Sequence, residues 1–127
     1  MAKGYNANKE RQEAIAFFGK ALAKRAGFSC EWCEGKENLR PWDYRPEAEP
    51  AEENLALLCG HCRELAEGKS ARDNELYALR NALWSSVPAV AEGAARVIAR
   101  CKEPWAREAI EDSLIDEAVK HGLLGQR

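Results

Sequence analysis

The chain has 127 residues, 46 % of them hydrophobic and 31 % charged, with a net charge of −2. That length allows one modest core with a satellite module, and that balance excludes disorder as the default. No apolar run approaches the roughly 20 residues a membrane span needs, and the near-neutral total excludes a simple polyanion binder.

The first residues, "MAKGYNANKERQ", are polar and lack the apolar stretch of a secretory signal, so no membrane association and a cytoplasmic setting are expected. From about Asn8 to Ala26, Ile15, Phe18 and Leu22 recur at helical spacing, with Phe17 and Ala21 widening the stripe and Gly27 as the stop. Residues 1–29 carry six Lys/Arg against two Asp/Glu. Lys20 and Lys24 lie one turn apart with Arg25 beside them. They read either as a solvated face or as a patch for nucleic-acid phosphates.

Residues 30–70 reverse the sign, with five Lys/Arg against ten Asp/Glu. Here "FSCEWCEGKENLRPWDYRP" places Cys30 and Cys33 before a short strand marked by Leu39, Trp42 and Tyr44. Pro41 keeps that strand out of any central ladder. The acidic loop "EAEPAEE" follows, then a second strand, "NLALL", which runs into Cys59 and Cys62. "RELAEG" has helix-forming composition and ends at Gly68. The order is cysteine pair, hairpin, cysteine pair, helix.

From Ser70 onward the chain reads as helical. Ser70 with Asp73 forms a capping box, and Leu76, Leu79 and Leu83 supply the apolar face of one helix. "SSVPAV" marks a boundary, with Pro88 in a first turn where its missing N–H costs nothing. The next helix sets Val87, Val90, Ala91, Ala94, Val97, Ile98 and Cys101 on one stripe, so Cys101 reads as a buried core thiol. Burial within a monomer and contact across a homodimer explain that Ala-rich stripe equally well. "KEPWAREAIEDS" opens another helix at Pro104, and "SLIDEAVKHG" makes a last one, stopped by Gly122. The expected fold is mainly α with a small β-hairpin. It comprises an N-terminal helix (1–27), a four-cysteine zinc-ribbon or treble-clef knuckle (28–69) and a small helical domain (70–127).

Two CxxC turns, Cys30–Cys33 and Cys59–Cys62, are separated by 25 residues, a span suited to a hairpin between two knuckles. Four thiolates suit the tetrahedral preference of Zn²⁺, and a helix starting at the second pair favours thiolate there and points to a treble clef. The spacing therefore predicts one structural Zn²⁺ per chain. Iron in a rubredoxin-like site uses the same four thiolates and remains the other metal. Redox use is disfavoured, because a redox CxxC follows a strand in a βαβ context that is missing here. Four sulfurs close the coordination shell, which argues against hydrolysis at the metal. His61, between two ligands, reads as an exposed bystander. Trp32 reads as a lid on the sulfurs, and Trp42, Trp84 and Trp105 as core.

The segment "CEWC…ENLRPWDYRP…ENLALLCGHC" resembles the treble clef of HNH nucleases in outline. The resemblance implies a histidine general base on the first strand, but "WDY" stands there, with Asp43 the only polar candidate. Arg63 occupies the place of a metal-binding histidine, and Asn54 is left to brace the turn before the second strand. With two histidines in the chain, nuclease chemistry is disfavoured. "CEWC", "LLCGHC", "LWSSVPAV" at 83–90 and "SLIDEAVKHG" resemble the bacterial PhnA-like family, which joins a zinc knuckle to a small C-terminal domain. The family name suggests phosphonate chemistry. The metal and nucleophile sets such hydrolases need are absent, and the chain has no threonine. Three functions follow, in order: a structural zinc-binding or adaptor module with a protein partner not specified by the sequence, a nucleic-acid binder using Lys20, Lys24 and Arg25, and a degenerate HNH-type nuclease.

Overall fold

The computed structural model describes residues 2–125, with the side chains of residues 2–8 and of Asp73 outside that description. Helix α1 spans Ala2–Phe17 and α2 spans Gly19–Ala26. The single N-terminal helix expected from the apolar spacing is thus interrupted at Phe18. There the chain tightens, the Phe18 N–H bonding to the Ile15 carbonyl at 3.0 Å, just before the poor helix former Gly19. The tightening leaves Phe17 outside and Phe18 packed against the apolar cluster of Ile15, Leu22, Leu55 and Leu57. Helix α2 ends as expected at Gly27, whose φ of 66° only glycine adopts cheaply.

Strands β1 (Arg40–Asp43) and β2 (Leu55–Leu58) pair antiparallel, with Arg40 opposite Leu58 and Asp43 opposite Leu55. A 3-10 turn at Glu52–Asn54 leads into β2, and the Asn54 carbonyl accepts the Tyr44 N–H at 3.0 Å. All four residues of β2 are buried, which alternation in a two-stranded sheet explains only if both faces are covered. They are: Leu55 and Leu57 face the cluster under α1 and α2, while Ala56 and Leu58 join the main core. Pro41 is tolerated because β1 has a partner on one side only.

Helix α3 (Gly60–Ala66) begins directly behind Cys59. The one long helix read from Leu76, Leu79 and Leu83 is instead a short α4 (Asp73–Tyr77) followed by a 3-10 turn at Arg80–Trp84. Tight bonds from Leu79 to Leu76, Ala82 to Leu79 and Ser85 to Ala82 keep Leu79, Ala82 and Leu83 buried. They also turn Trp84 outward, so it is 52 % exposed rather than core. The capping box expected from Ser70 and Asp73 falls on a side chain outside the described residues. At the start of α4 the Glu75 carboxylate accepts the Arg72 N–H at 3.1 Å.

Helix α5 (Pro88–Ile98) is the centre of the molecule, and it starts at the proline as expected. Ala89, Val90, Ala91, Gly93, Ala94, Ala95, Val97 and Ile98 are all buried, so its apolar stripe is covered by its own chain. Helices α6 (Pro104–Asp112) and α7 (Glu117–Leu124) complete the fold. The last helix runs through Gly122, expected as its stop, and ends at Gly125, where φ is 74°. Cys101 is buried in the main core, as its place on the stripe suggested. Trp105 is half-buried against Tyr77, ring centroids 4.9 Å apart. One apolar cluster runs from Cys30, Trp32, Leu58 and Cys62 through Leu83, Val97 and Ile98 to Ile110, so knuckle and helices share a core. No described helix is long and apolar enough to cross a membrane.

Candidate metal centre

The first cysteine pair sits in a turn closed by the Cys30 N–H on the Gly35 carbonyl (2.7 Å) and the Glu34 N–H on the Cys30 carbonyl (2.9 Å). The second pair straddles the start of α3, and Cys59 caps that helix, its Sγ accepting the Cys62 N–H at 3.4 Å. The hairpin brings the two turns face to face. The four Sγ atoms of Cys30, Cys33, Cys59 and Cys62 then lie within 4.8 Å of one another. Sulfurs held about 2.3 Å from a tetrahedral ion would stand about 3.8 Å apart. The donor set and spacing therefore fit one metal ion after a small contraction.

Backbone N–H groups turned toward the sulfurs support thiolate character. Trp32 and Cys33 donate to Cys30 Sγ at 3.4 and 3.5 Å, and Gly35 donates to Cys33 Sγ at 3.4 Å. A Cβ at Gly35 would come within 3.3 Å of that sulfur, so glycine permits the close approach. Thiols this close oppose one another's ionisation. The hydrogen bond between Cys62 and Cys30 is the main cause of both shifts, pushing the Cys62 thiol far up and holding Cys30 down to about 5. Burial raises Cys33 to about 11. A divalent cation would relieve this conflict, and its binding would release protons.

The surroundings anchor the site. Trp32 is buried, but its role differs from the expected lid over the sulfurs. Its indole Nε1 donates to the Val90 carbonyl at 3.1 Å, and its ring packs on Trp42 (5.3 Å), pinning the first turn to α5. Glu31, which no local pattern in the sequence marks, organises the other side. Its carboxylate accepts from Arg25 at 2.7 and 2.9 Å and from the Leu57 N–H at 2.8 Å.

Arg25 also donates to the carbonyls of Glu52 and Leu55, so it is turned inward and separated in role from Lys20 and Lys24, which are exposed. Asp43, the residue weighed as a nuclease remnant, holds Arg11 of α1 at 2.8 and 3.2 Å. His61 is exposed and pairs with Glu75 at 3.3 Å, outside the sulfur cluster, and Arg63 donates to the Asn38 carbonyl at 2.7 Å. Comparison with protein-family models, with curated proteins and with solved structures finds no match for this chain.

Proposed function

We propose that the chain is a zinc-braced binding module, in which Cys30, Cys33, Cys59 and Cys62 hold one structural Zn²⁺. The observation that carries this reading is the convergence of four sulfurs, three of them buried, at the junction of two turns and the main core. Four thiolates fill a tetrahedron, leave no position for a reacting water, and favour zinc over hard cations. Reduced thiols at such a centre suit a reducing compartment, in keeping with a cytoplasmic protein. A PhnA-like kinship rests on the sequence blocks "CEWC", "LLCGHC" and "LWSSVPAV". Native mass spectrometry before and after a chelator tests the reading. One zinc per chain is expected, with no turnover of phosphoesters or phosphonates. Iron in its place would show by its visible absorbance, and a reduced, folded chain without metal overturns the proposal. The same spectra separate monomer from homodimer.

A second reading, nucleic-acid binding, is favoured by the outer face of α2. Lys20 and Lys24 are exposed one turn apart on it, and an exposed aromatic residue stands just before and just after the helix, Phe17 at 83 % and Phe28 at 65 %. Phe28 holds a φ of 60°, a costly conformation for an aromatic residue. Two lysines about 6 Å apart along the axis between two rings offer phosphate contacts and stacking surfaces. Retention on single-stranded DNA or RNA at about 50 mM salt, lost on Lys24→Ala and weakened by added salt, supports this reading; no retention there ends it.

A further inference from the structure

The four sulfurs of the cluster are not equivalent. Cys30 is 1 % exposed and Cys62 0 %, both within the main core. Cys59 is 7 % exposed, and Cys33 alone is open to solvent. Cys33 Sγ and Cys59 Sγ lie 3.6 Å apart, one from each turn. The cluster thus has two fully covered sulfurs and an outer pair formed by the exposed Cys33 and the nearly covered Cys59. A recess of about 160 Å³ opens beside Cys33 and Cys62, with Leu65 and Leu79 in its walls and His61 and Glu75 also lining it; Cys59 does not line it and is reached through its 3.6 Å contact with Cys33. It admits a molecule of the size of hydrogen peroxide together with several waters.

We propose that Cys33 is the oxidation site of this centre and Cys59 its resolving thiol, so that a peroxide closes a Cys33–Cys59 disulfide and ejects the metal. The inference rests on the metal-site reading above. In the first step the Cys33 sulfur attacks one peroxide oxygen. An S–O bond forms, the O–O bond breaks, sulfur gives two electrons, and the departing hydroxide takes a proton from solvent. In the second step the Cys59 sulfur attacks Cys33. An S–S bond forms, the S–O bond breaks, and a second hydroxide is protonated to water. The sum is two thiolates, one peroxide and two protons giving one disulfide and two waters.

Closing the bond requires the outer sulfurs to approach from 3.6 Å to about 2.05 Å, a movement open to the exposed Cys33 side chain. Closure within the first turn is less accessible: it would take two N–H donors, those of Trp32 and Cys33, from the buried Cys30, whereas closure on Cys59 takes one, that of Cys62. With two of four ligands consumed, the remaining pair no longer makes the closed site that holds a structural ion.

The test uses the full chain loaded with one zinc, treated with substoichiometric hydrogen peroxide, alkylated and mapped by mass spectrometry. A glutamate-specific protease cuts at Glu31, between Cys30 and Cys33, and fragmentation separates Cys59 from Cys62. The first disulfide is expected to be Cys33–Cys59, with one zinc released per disulfide as read by a chromogenic chelator. Both changes should reverse on reduction with added zinc. Before oxidation, a maleimide should label Cys33 about tenfold faster than the other three ligands. In Cys59→Ser, oxidation should halt at a sulfenic acid on Cys33 that dimedone traps; the map of the unaltered chain decides the matter if that variant does not fold. Any other first disulfide, zinc loss before any S–S bond, or prior oxidation of Cys101 overturns the proposal. A chain that binds no metal defeats the metal reading itself, whereas a loaded chain with a different first disulfide defeats only this inference.

Discussion

A Cβ built on Gly93 would lie 2.7 Å from Trp42 Cζ3 and 3.0 Å from Trp32 Cζ2, so α5 carries glycine where the two indoles cross it. Alanine would favour the helix by about 1 kcal/mol, but forcing a methyl into rigid rings costs about 1–3 kcal/mol. Gly93→Ala is therefore expected to lower stability by up to about 2 kcal/mol in urea unfolding, and an unchanged or raised midpoint would refute the crossing. Tyr44 offers a pH test. Burial first, and then its 2.8 Å hydrogen bond to Glu92, raise its hydroxyl to about 12. A tyrosine in the unfolded chain ionises near 10. The contribution is thus complete below about pH 10 and lost as pH rises toward 12. Absorbance titration at alkaline pH should show one late phenol that disappears in Tyr44→Phe. Neither residue announces its role in the sequence, because each role depends on a neighbour about fifty positions away.

Among the elements, the join between α6 and α7 depends on a buried amine. Lys120 Nζ donates to the Glu111 carbonyl at 2.9 Å and the Ser113 carbonyl at 2.7 Å, with Glu117 at 3.3 Å. A cation there satisfies carbonyls that the end of α6 leaves open and complements its dipole. Lys120→Met keeps the apolar stem and should cost about 1–2 kcal/mol in denaturant unfolding; an unaltered midpoint would show that water replaces the amine without loss. Element boundaries were legible where local chemistry decides them, as at Gly27, Pro88 and Pro104. They were not where packing overrides period. Phe18 breaks the N-terminal helix to reach the core, and the 80–84 turn tightens to bury Ala82 and Leu83. Arg25 looked like a third member of a basic face, but its charge is neutralised by Glu31, which lies beyond the helix end.

At the level of the whole molecule, the cysteine spacing was enough to foresee the cluster, since two CxxC turns around a hairpin can meet in few ways. The shared core was not foreseeable from it, because contacts such as Trp32 to Val90 close over 58 residues. That sharing bears on metal removal. Structural zinc contributes on the order of 10 kcal/mol in small zinc-binding peptides, comparable with the whole stability of a domain this size. Chelation is expected to abolish helical circular dichroism and shift tryptophan emission together, in one transition. A tryptophan shift alone, with the helices intact, would mean that the core divides at residue 70.

Because Trp32 is locked onto α5 and Leu58 and Cys62 sit among helical side chains, this cysteine motif is no interchangeable cassette. Grafted elsewhere as residues 28–69, it would arrive with a bare greasy underside and would have to recruit a substitute for α5 before it could serve as an independent finger.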